Sequence, residues 1–365
     1  MDLTAIDPRL LDAKINVDNV VWKNALSAPI TLHGVYYDEE KRAFRRMREE
    51  IAATVNPGVR GLSASTSGGR VRFRTDSPYV AVRALMPMPG LANHMSLSNM
   101  CGFALYVDGE YGAKYTVTVD EALAAREEKR PATIAAMAYR RPAHGGFYDC
   151  EIYFPLYGGV KELHIGIAEG HEILPPRPYT YEKPIVFYGS SITQGACASR
   201  PGNDYVAILS RMLDSDIVNL GFSGNGNAEP TMLEYLSSLD AGMYVFDYNY
   251  YLDRPERNAT MPKHYDVYRT LRDAHPDVPI MLMDKPATMF SPENYRVRNA
   301  MIKATYERAL AEGDTLVGYI DSAVMMGEHA ADCFVDSDHP NDHGFHRMAD
   351  SLYPILKDLL ERAKK

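Results

Sequence analysis

The sequence predicts an α/β protein in two parts, a β-sandwich followed by a layered domain with a parallel sheet between helices. Three observations carry this expectation. The first half is a series of short strand-like runs separated by Gly, Pro, Asn and Asp. The stretch EILPPRPYTYEKP (172–184) then holds four prolines in thirteen residues, and proline fixes φ and cannot extend a sheet interior, so this is a stiff connector. After it, short apolar strands alternate with helical patterns. The expected division is therefore 1–178 and 179–365.

In the first part, GRVRFRTDS has a period of two, with Val71 and Phe73 facing one way and Arg70, Arg72 and Arg74 the other. YVAVRALM, CGFALYVDGEYG, YDCEIYFPLYGG and KELHIGIAEG are built alike, and several short strands at this spacing suggest a sandwich or jelly roll. A helix is expected within DEEKRAFRRMREEIAATV, where Phe44, Met47, Ile51 and Val55 would share a face.

In the second part, PIVFYG, SDIVNLGFSG, AGMYVFDYN, VPIMLMDKP and LVGYIDS read as strands. NDYVAILSRMLD, EPTMLEYLSSLD, HYDVYRTLRDAHP, ENYRVRNAMIKATYERALAEG and GFHRMADSLYPILKDLLERAKK read as helices, the last with Pro354 as a kink point. Strands that are apolar on both faces belong in a parallel sheet covered on both sides. Ligands of such sheets bind beyond the carboxyl ends of the strands.

Composition narrows the function. Net charge is −9, with 46% apolar and 24% charged residues. There is no basic surplus to neutralise a phosphate backbone, so nucleic acid is not an expected partner. No apolar run approaches the roughly 20 residues that span a bilayer, and the N-terminus lacks the pattern of a secretory signal. The expectation is a cytoplasmic protein with no membrane partner. Cys101, Cys150, Cys197 and Cys333 form no CxxC pair and are expected to be free thiols.

Four stretches fall at the ends of the predicted parallel strands. Gly189-Ser190-Ser191-Ile192-Thr193 puts a serine at the first turn of a helix, where backbone N–H groups lack intrahelical acceptors. NLGFSGNG has glycines at 221, 224 and 226 that allow close backbone approach. In DYNY, Asn249 can offer a side-chain amide to developing negative charge. In DSDHP, Asp336 and His339 are three apart. That spacing lets the carboxylate accept from Nδ1 and leaves Nε2 to take a proton from a serine. Taken singly, the serine turn reads first as a helix cap, Asn249 as an ordinary strand-end polar residue and DxxH as a chance string, while the glycine loop reads as readily as a turn with no ligand.

Together and in this order they resemble the SGNH (GDSL-type) hydrolase superfamily, in a bacterial subgroup with an N-terminal β-sandwich. The resemblance covers about 183–365, and CGFALYVDGEYG is similar to the Gly-x-Asp-Leu-Tyr signature of the sandwich. It implies a flavodoxin-like α/β/α domain, Ser191 as nucleophile, His339 and Asp336 as its partners, and an oxyanion hole from Ser191, Gly224 and Asn249. Three positions depart from the family: Ser190 stands where Asp is common, the Gly-x-Asn-Asp block has become Asp247-Tyr248-Asn249-Tyr250, and Ala104 replaces the signature aspartate.

Other chemistries fit less well. His339, His343 and His346 have zinc-like spacing, but Pro340 interrupts the segment and no HExxH glutamate is present. DSDHPND lacks the glycine of a calcium loop, and GSSITQG lacks the P-loop lysine. No metal or cofactor is expected. The implied activity is ester hydrolysis through a serine acyl-enzyme, with a short acyl group such as acetyl on a small-molecule or oligosaccharide ester. A longer-acyl esterase or thioesterase and a non-catalytic carbohydrate-binding protein are the alternatives, and a homo-oligomer is left open. Two stretches, HGVYYDEEKRAFRRM and PMPGLANHMSLSNM, are candidates to reach the pocket from the sandwich.

Overall fold

The computed structural model describes residues 19–140, 145–248, 263–287, 291 and 293–364. The N-terminal region is a sandwich of two antiparallel sheets. One has the order Val20–Asn24, Glu162–Ala168, Tyr79–Met86, Ala132–Arg140. The other runs Ile173–Leu174, Arg70–Thr75, Tyr148–Tyr153, Gly102–Val107, Glu110–Thr116, with Thr31–His33 also pairing Arg70–Thr75. Val71, Phe73, Phe103, Leu105 and Ile152 of the second sheet meet Val80, Val82 and Ile165 of the first in one buried core.

The expected helix at 38–55 is shorter than the pattern suggested. Tyr36–Asp38 and Ala43–Arg45 pair as a hairpin, and the helix occupies only Glu49–Val55. Phe44 bridges Val160 and is buried in the sandwich core. Sheet pairing thus overrides the helical periodicity of that segment.

The second region is a five-stranded parallel sheet. In space its strands run Ser215–Gly221, Tyr181–Gly189, Met243–Phe246, Ile280–Met283, Val317–Ile320. In chain order this is 2-1-3-4-5, the flavodoxin-like arrangement, whose switch point lies at the end of the first strand. That strand explains why the sequence runs apolar on both faces. Ile185 and Phe187 join Leu209, Met348 and Leu352 of helices Tyr205–Leu213 and Asp342–Ala363. Val186 and Tyr188 join Met232, Leu271 and Ile302 of helices Pro230–Ser237, His264–Ala274 and Asn294–Ala311. Pro354 lies inside the last helix, which runs on past it.

Buried polar bonds join the two regions. Arg46, wholly enclosed and with its pKa lowered to about 9 by burial, donates to Gly221 O at 2.6 Å and Leu62 O at 2.7 Å, and to Ser65 and Asn219 carbonyls. Arg70 reaches Asp216 at 2.6 Å and Glu151 at 3.2 Å. The polar side of GRVRFRTDS is therefore, at Arg70, an internal seam and not a solvent face. All four cysteines are free and buried. Among the described residues no helix is long and apolar enough to cross a membrane.

Candidate active site

The first parallel strand ends at Gly189, and the chain turns at once into a four-residue helix, Ser191–Gln194. Ser190 is its N-cap, its hydroxyl accepting from Ile192 N–H at 3.1 Å. Gly195 ends the turn at φ +97°. Two glycines of the next loop are required by proximity. A Cβ on Gly221 would lie 2.2 Å from Gln194 N, and one on Gly226 would lie 2.3 Å from Gly189 O. Between them Gly224 adopts φ +64° in a turn closed by Asn225 N–H and Gly226 N–H on Phe222 O. Only glycine takes this conformation without strain.

His339 is held just before the last helix. Val335 N–H donates to His339 O at 2.9 Å, and Asn341 caps the helix through Gly344 N–H. Asp336 Oδ1 accepts the backbone N–H groups of Asp338 and His339, both at 2.8 Å. Its Oδ2 lies 2.9 Å from His339 Nδ1. The other ring nitrogen, Nε2, is 2.9 Å from Ser191 Oγ. Burial pushes the Asp336 carboxyl up, but the hydrogen bonds from the His339 ring and from the two N–H groups outweigh it and leave it below the usual range. An ionised carboxylate at Nδ1 places the ring proton there and turns the lone pair of Nε2 towards the serine.

The structure thus brings Ser191, His339 and Asp336 together from 148 positions apart, with the Gly224 turn following the adjacent strand. Asn249 lies outside the described residues, so its place in the site is not part of this geometry. His343 and His346 are engaged elsewhere: Arg347 donates to His343 Nε2, and His346 Nε2 contacts Asn203 Oδ1.

Several residues were not singled out by the sequence. Asp247, at the end of the third strand, accepts from Ser190 N–H at 3.1 Å, from the Ser190 hydroxyl, and from Thr193 Oγ1 at 3.0 Å. Burial raises its pKa, against those hydrogen bonds and the charge of Lys285. Asp338 Oδ2 is 3.9 Å from His339 Nε2, while its Oδ1 pairs with Lys285 at 2.6 Å and accepts the Tyr295 hydroxyl. From the sandwich, His94 stacks on His339 with ring centroids 5.5 Å apart. Donor atoms of His94, Cys197 and His339 all lie within 4.8 Å of one another. Of the two loops considered, PMPGLANHMSLSNM is the one that reaches His339, and HGVYYDEEKRAFRRM instead brings Arg46 under Gly221. A polar residue directly after an apolar strand was the available signal for Asp247. Nothing local marked His94.

Comparison with known proteins places both regions in described families. Residues 182–357 match the GDSL-like lipase/acylhydrolase family. The second domain belongs to that family. Residues 20–173 match the N-terminus of SGNH hydrolase-type esterases. Among solved structures, a candidate GDSL-like lipase from Bacteroides ovatus is 26% identical with a TM-score of 0.77, over 94% of this chain and 98% of that one. The salicylyl-acyltransferase SsfX3 of a tetracycline biosynthetic pathway is 21% identical, TM-score 0.71, over 93% and 97%. A family two carbohydrate esterase from Cellvibrio japonicus shares the fold at 13% identity, TM-score 0.59, over 94% and 98%. No curated protein matches the chain.

Two of the departures from the family pattern, one in the GDSL-like domain and one in the sandwich, have local explanations. Ser190 takes the second place of the triplet, and Asp247 stands against its hydroxyl. Ala104 lies in a small buried cluster with Tyr106, Tyr153 and Ala207. The position of the signature aspartate is therefore an apolar contact between the sandwich and helix Tyr205–Leu213.

Proposed function

We propose that the protein is a serine esterase that hydrolyses short acyl esters, acetyl foremost, carried on carbohydrates. The observation that carries the reading is the pair of contacts on the two ring nitrogens of His339, Ser191 Oγ to Nε2 and Asp336 Oδ2 to Nδ1, each 2.9 Å. His339 takes the hydroxyl proton as Ser191 Oγ attacks the ester carbonyl, and the developing oxyanion is held by the N–H groups of Ser191 and Gly224 and by the Asn249 amide. Preorganised donors at such a position are each worth about 10²–10³ in rate. The imidazolium, steadied by Asp336, then protonates the leaving alcohol. Water, deprotonated by the same nitrogen, releases the acid and restores the serine.

The surroundings favour a polar alcohol over a long acyl chain. His94, Asp338 and Lys285 gather beside His339, whereas a lipid-type site needs contiguous apolar lining. Carbohydrate esterases of family two share the two-part fold, which is consistent with a sugar ester as substrate. The test is acetate release from a panel of acetylated oligosaccharides, alongside p-nitrophenyl esters from acetyl to octanoyl. Activity that falls with chain length and vanishes in Ser191→Ala supports the reading. Activity that rises towards octanoyl replaces it with a longer-acyl esterase, and no turnover with retained sugar binding replaces it with a binding protein.

A further inference from the structure

We propose that His94, Cys197 and His339 form a site for a thiophilic divalent cation, Zn²⁺ in the first place, and that filling it switches the esterase off. Two imidazoles and a thiol are a donor set for zinc and its chemical relatives, and a poor one for Mg²⁺ or Ca²⁺, which take oxygen ligands. The three donor atoms lie within 4.8 Å of one another, close enough for one ion to touch all three after small side-chain adjustments.

The scaffold around the donors is built. Cys197 is held at φ +69°, a conformation that non-glycine residues seldom adopt. Asn99 fixes the backbone on either side of it, donating to Gly195 O at 2.9 Å and Ala198 O at 3.0 Å. The loop that carries His94 is fastened to the same segment by Ser96 Oγ on Ser199 O at 2.6 Å. His94 is exposed and Cys197 is 8% exposed, so an ion can enter from the His94 side.

The electrostatics suit a cation. Burial, with Asp336 and Asp338 nearby, pushes the Cys197 thiol up to about 12. The same two carboxylates that disfavour a bare thiolate attract a positive ion, and Lys285 offsets only Asp338. Binding releases the Cys197 proton to solvent as sulfur bonds the metal, and no electrons are transferred. Because Asp336 engages Nδ1, Nε2 is the nitrogen His339 has to offer. A carboxylate behind a metal-bound histidine is the usual supporting arrangement.

Nε2 is also the atom that faces Ser191 Oγ at 2.9 Å. A metal there removes the proton acceptor of the serine. The inhibitory consequence rests on the proposed esterase function, whereas the binding does not.

The experiment separates the two. Titration of the full chain with Co²⁺ should give one equivalent with a thiolate-to-cobalt absorption band, displaced by Zn²⁺. Cys197→Ser should lose the band, and both it and His94→Ala should bind more than about tenfold more weakly. With p-nitrophenyl acetate, Zn²⁺ should inhibit, EDTA should restore the rate, and Mg²⁺ and Ca²⁺ should do nothing. Each variant, scored against its own metal-free rate, should need more than about tenfold more Zn²⁺. Absence of the thiolate band in the unmodified protein overturns the site, whatever the esterase result. Zinc inhibition undiminished in both variants overturns the proposed switch.

Discussion

Asp247 Oδ2 accepts the backbone N–H of Ser190 at 3.1 Å, across the boundary between the third and first parallel strands. The same oxygen takes the hydroxyl of Ser190 and that of Thr193. The acid common at the second position of the triplet is here supplied from the neighbouring strand, and it fixes the turn that presents Ser191. Asp247→Ala would leave the Ser190 N–H and hydroxyl without this acceptor, at a cost of about 1–3 kcal/mol each in the unrelaxed case, while Thr193 Oγ1 keeps its contact with the Tyr205 hydroxyl at 2.9 Å. The expected outcome is a fall in the urea midpoint together with a loss of esterase rate. An unchanged midpoint would show that the turn holds itself.

Ser191→Ala should abolish turnover of p-nitrophenyl acetate while leaving the urea midpoint nearly unchanged, because Ser191 Oγ has His339 as its hydrogen-bond partner and does not cap the helix. Asp336→Asn should keep the ring in place yet favour the wrong tautomer, with a loss approaching about 10⁴ in kcat. Initial rates measured over a range of substrate concentrations, giving kcat and KM separately, check both. A loss confined to KM would remove Asp336 from the proton path.

Arg46 spans the seam between sandwich and parallel sheet, and among the described residues no carboxylate pairs with it. Its guanidinium is satisfied by carbonyls and the Ser65 hydroxyl, including Gly221 O at the edge of the Gly224 turn. Arg46→Ala strips several buried acceptors of their donor and opens a cavity, and about 3–5 kcal/mol of stability should go with it. Arg46→Lys should recover only part, since one ammonium cannot reach acceptors spread around a planar fork. Urea unfolding of the three proteins gives the comparison. Full recovery with lysine would mean that charge alone matters at this position.

These residues also mark where sequence reading stops. Ser191 belongs to a short local pattern at a strand end, and Asp336 and His339 to one that in the structure lies between a 3-10 turn and the last helix; the five parallel strands were legible because burial on both faces leaves them apolar. Phe44 misled because its helical spacing with Met47 is outweighed by pairing with Val160, a contact more than a hundred positions away. Arg70 reads as a solvent-facing charge until Asp216 is placed opposite it. His94 carries no local signature at all, and its position over His339 depends on how two regions dock.

Asp284 gives a pH test that is independent of catalysis. It is 2% exposed at the end of strand Ile280–Met283, and its Oδ2 accepts the Tyr319 hydroxyl at 3.0 Å and Ser322 N–H at 3.2 Å. Burial raises its pKa to about 7 in spite of those donors. The folded protein therefore holds a proton on Asp284 that the unfolded chain, with a pKa of about 3.9, gives up well below neutrality. Stability from this group is complete below pH of about 4 and is lost as pH rises through about 7. Asp284→Asn, a neutral mimic of the protonated acid, should escape that loss. Relative to the unmodified protein it should gain about 1–4 kcal/mol between pH 4 and pH 8, read as a widening gap in urea midpoints. A gap that stays constant over this range would mean that Asp284 is ionised in the folded state throughout.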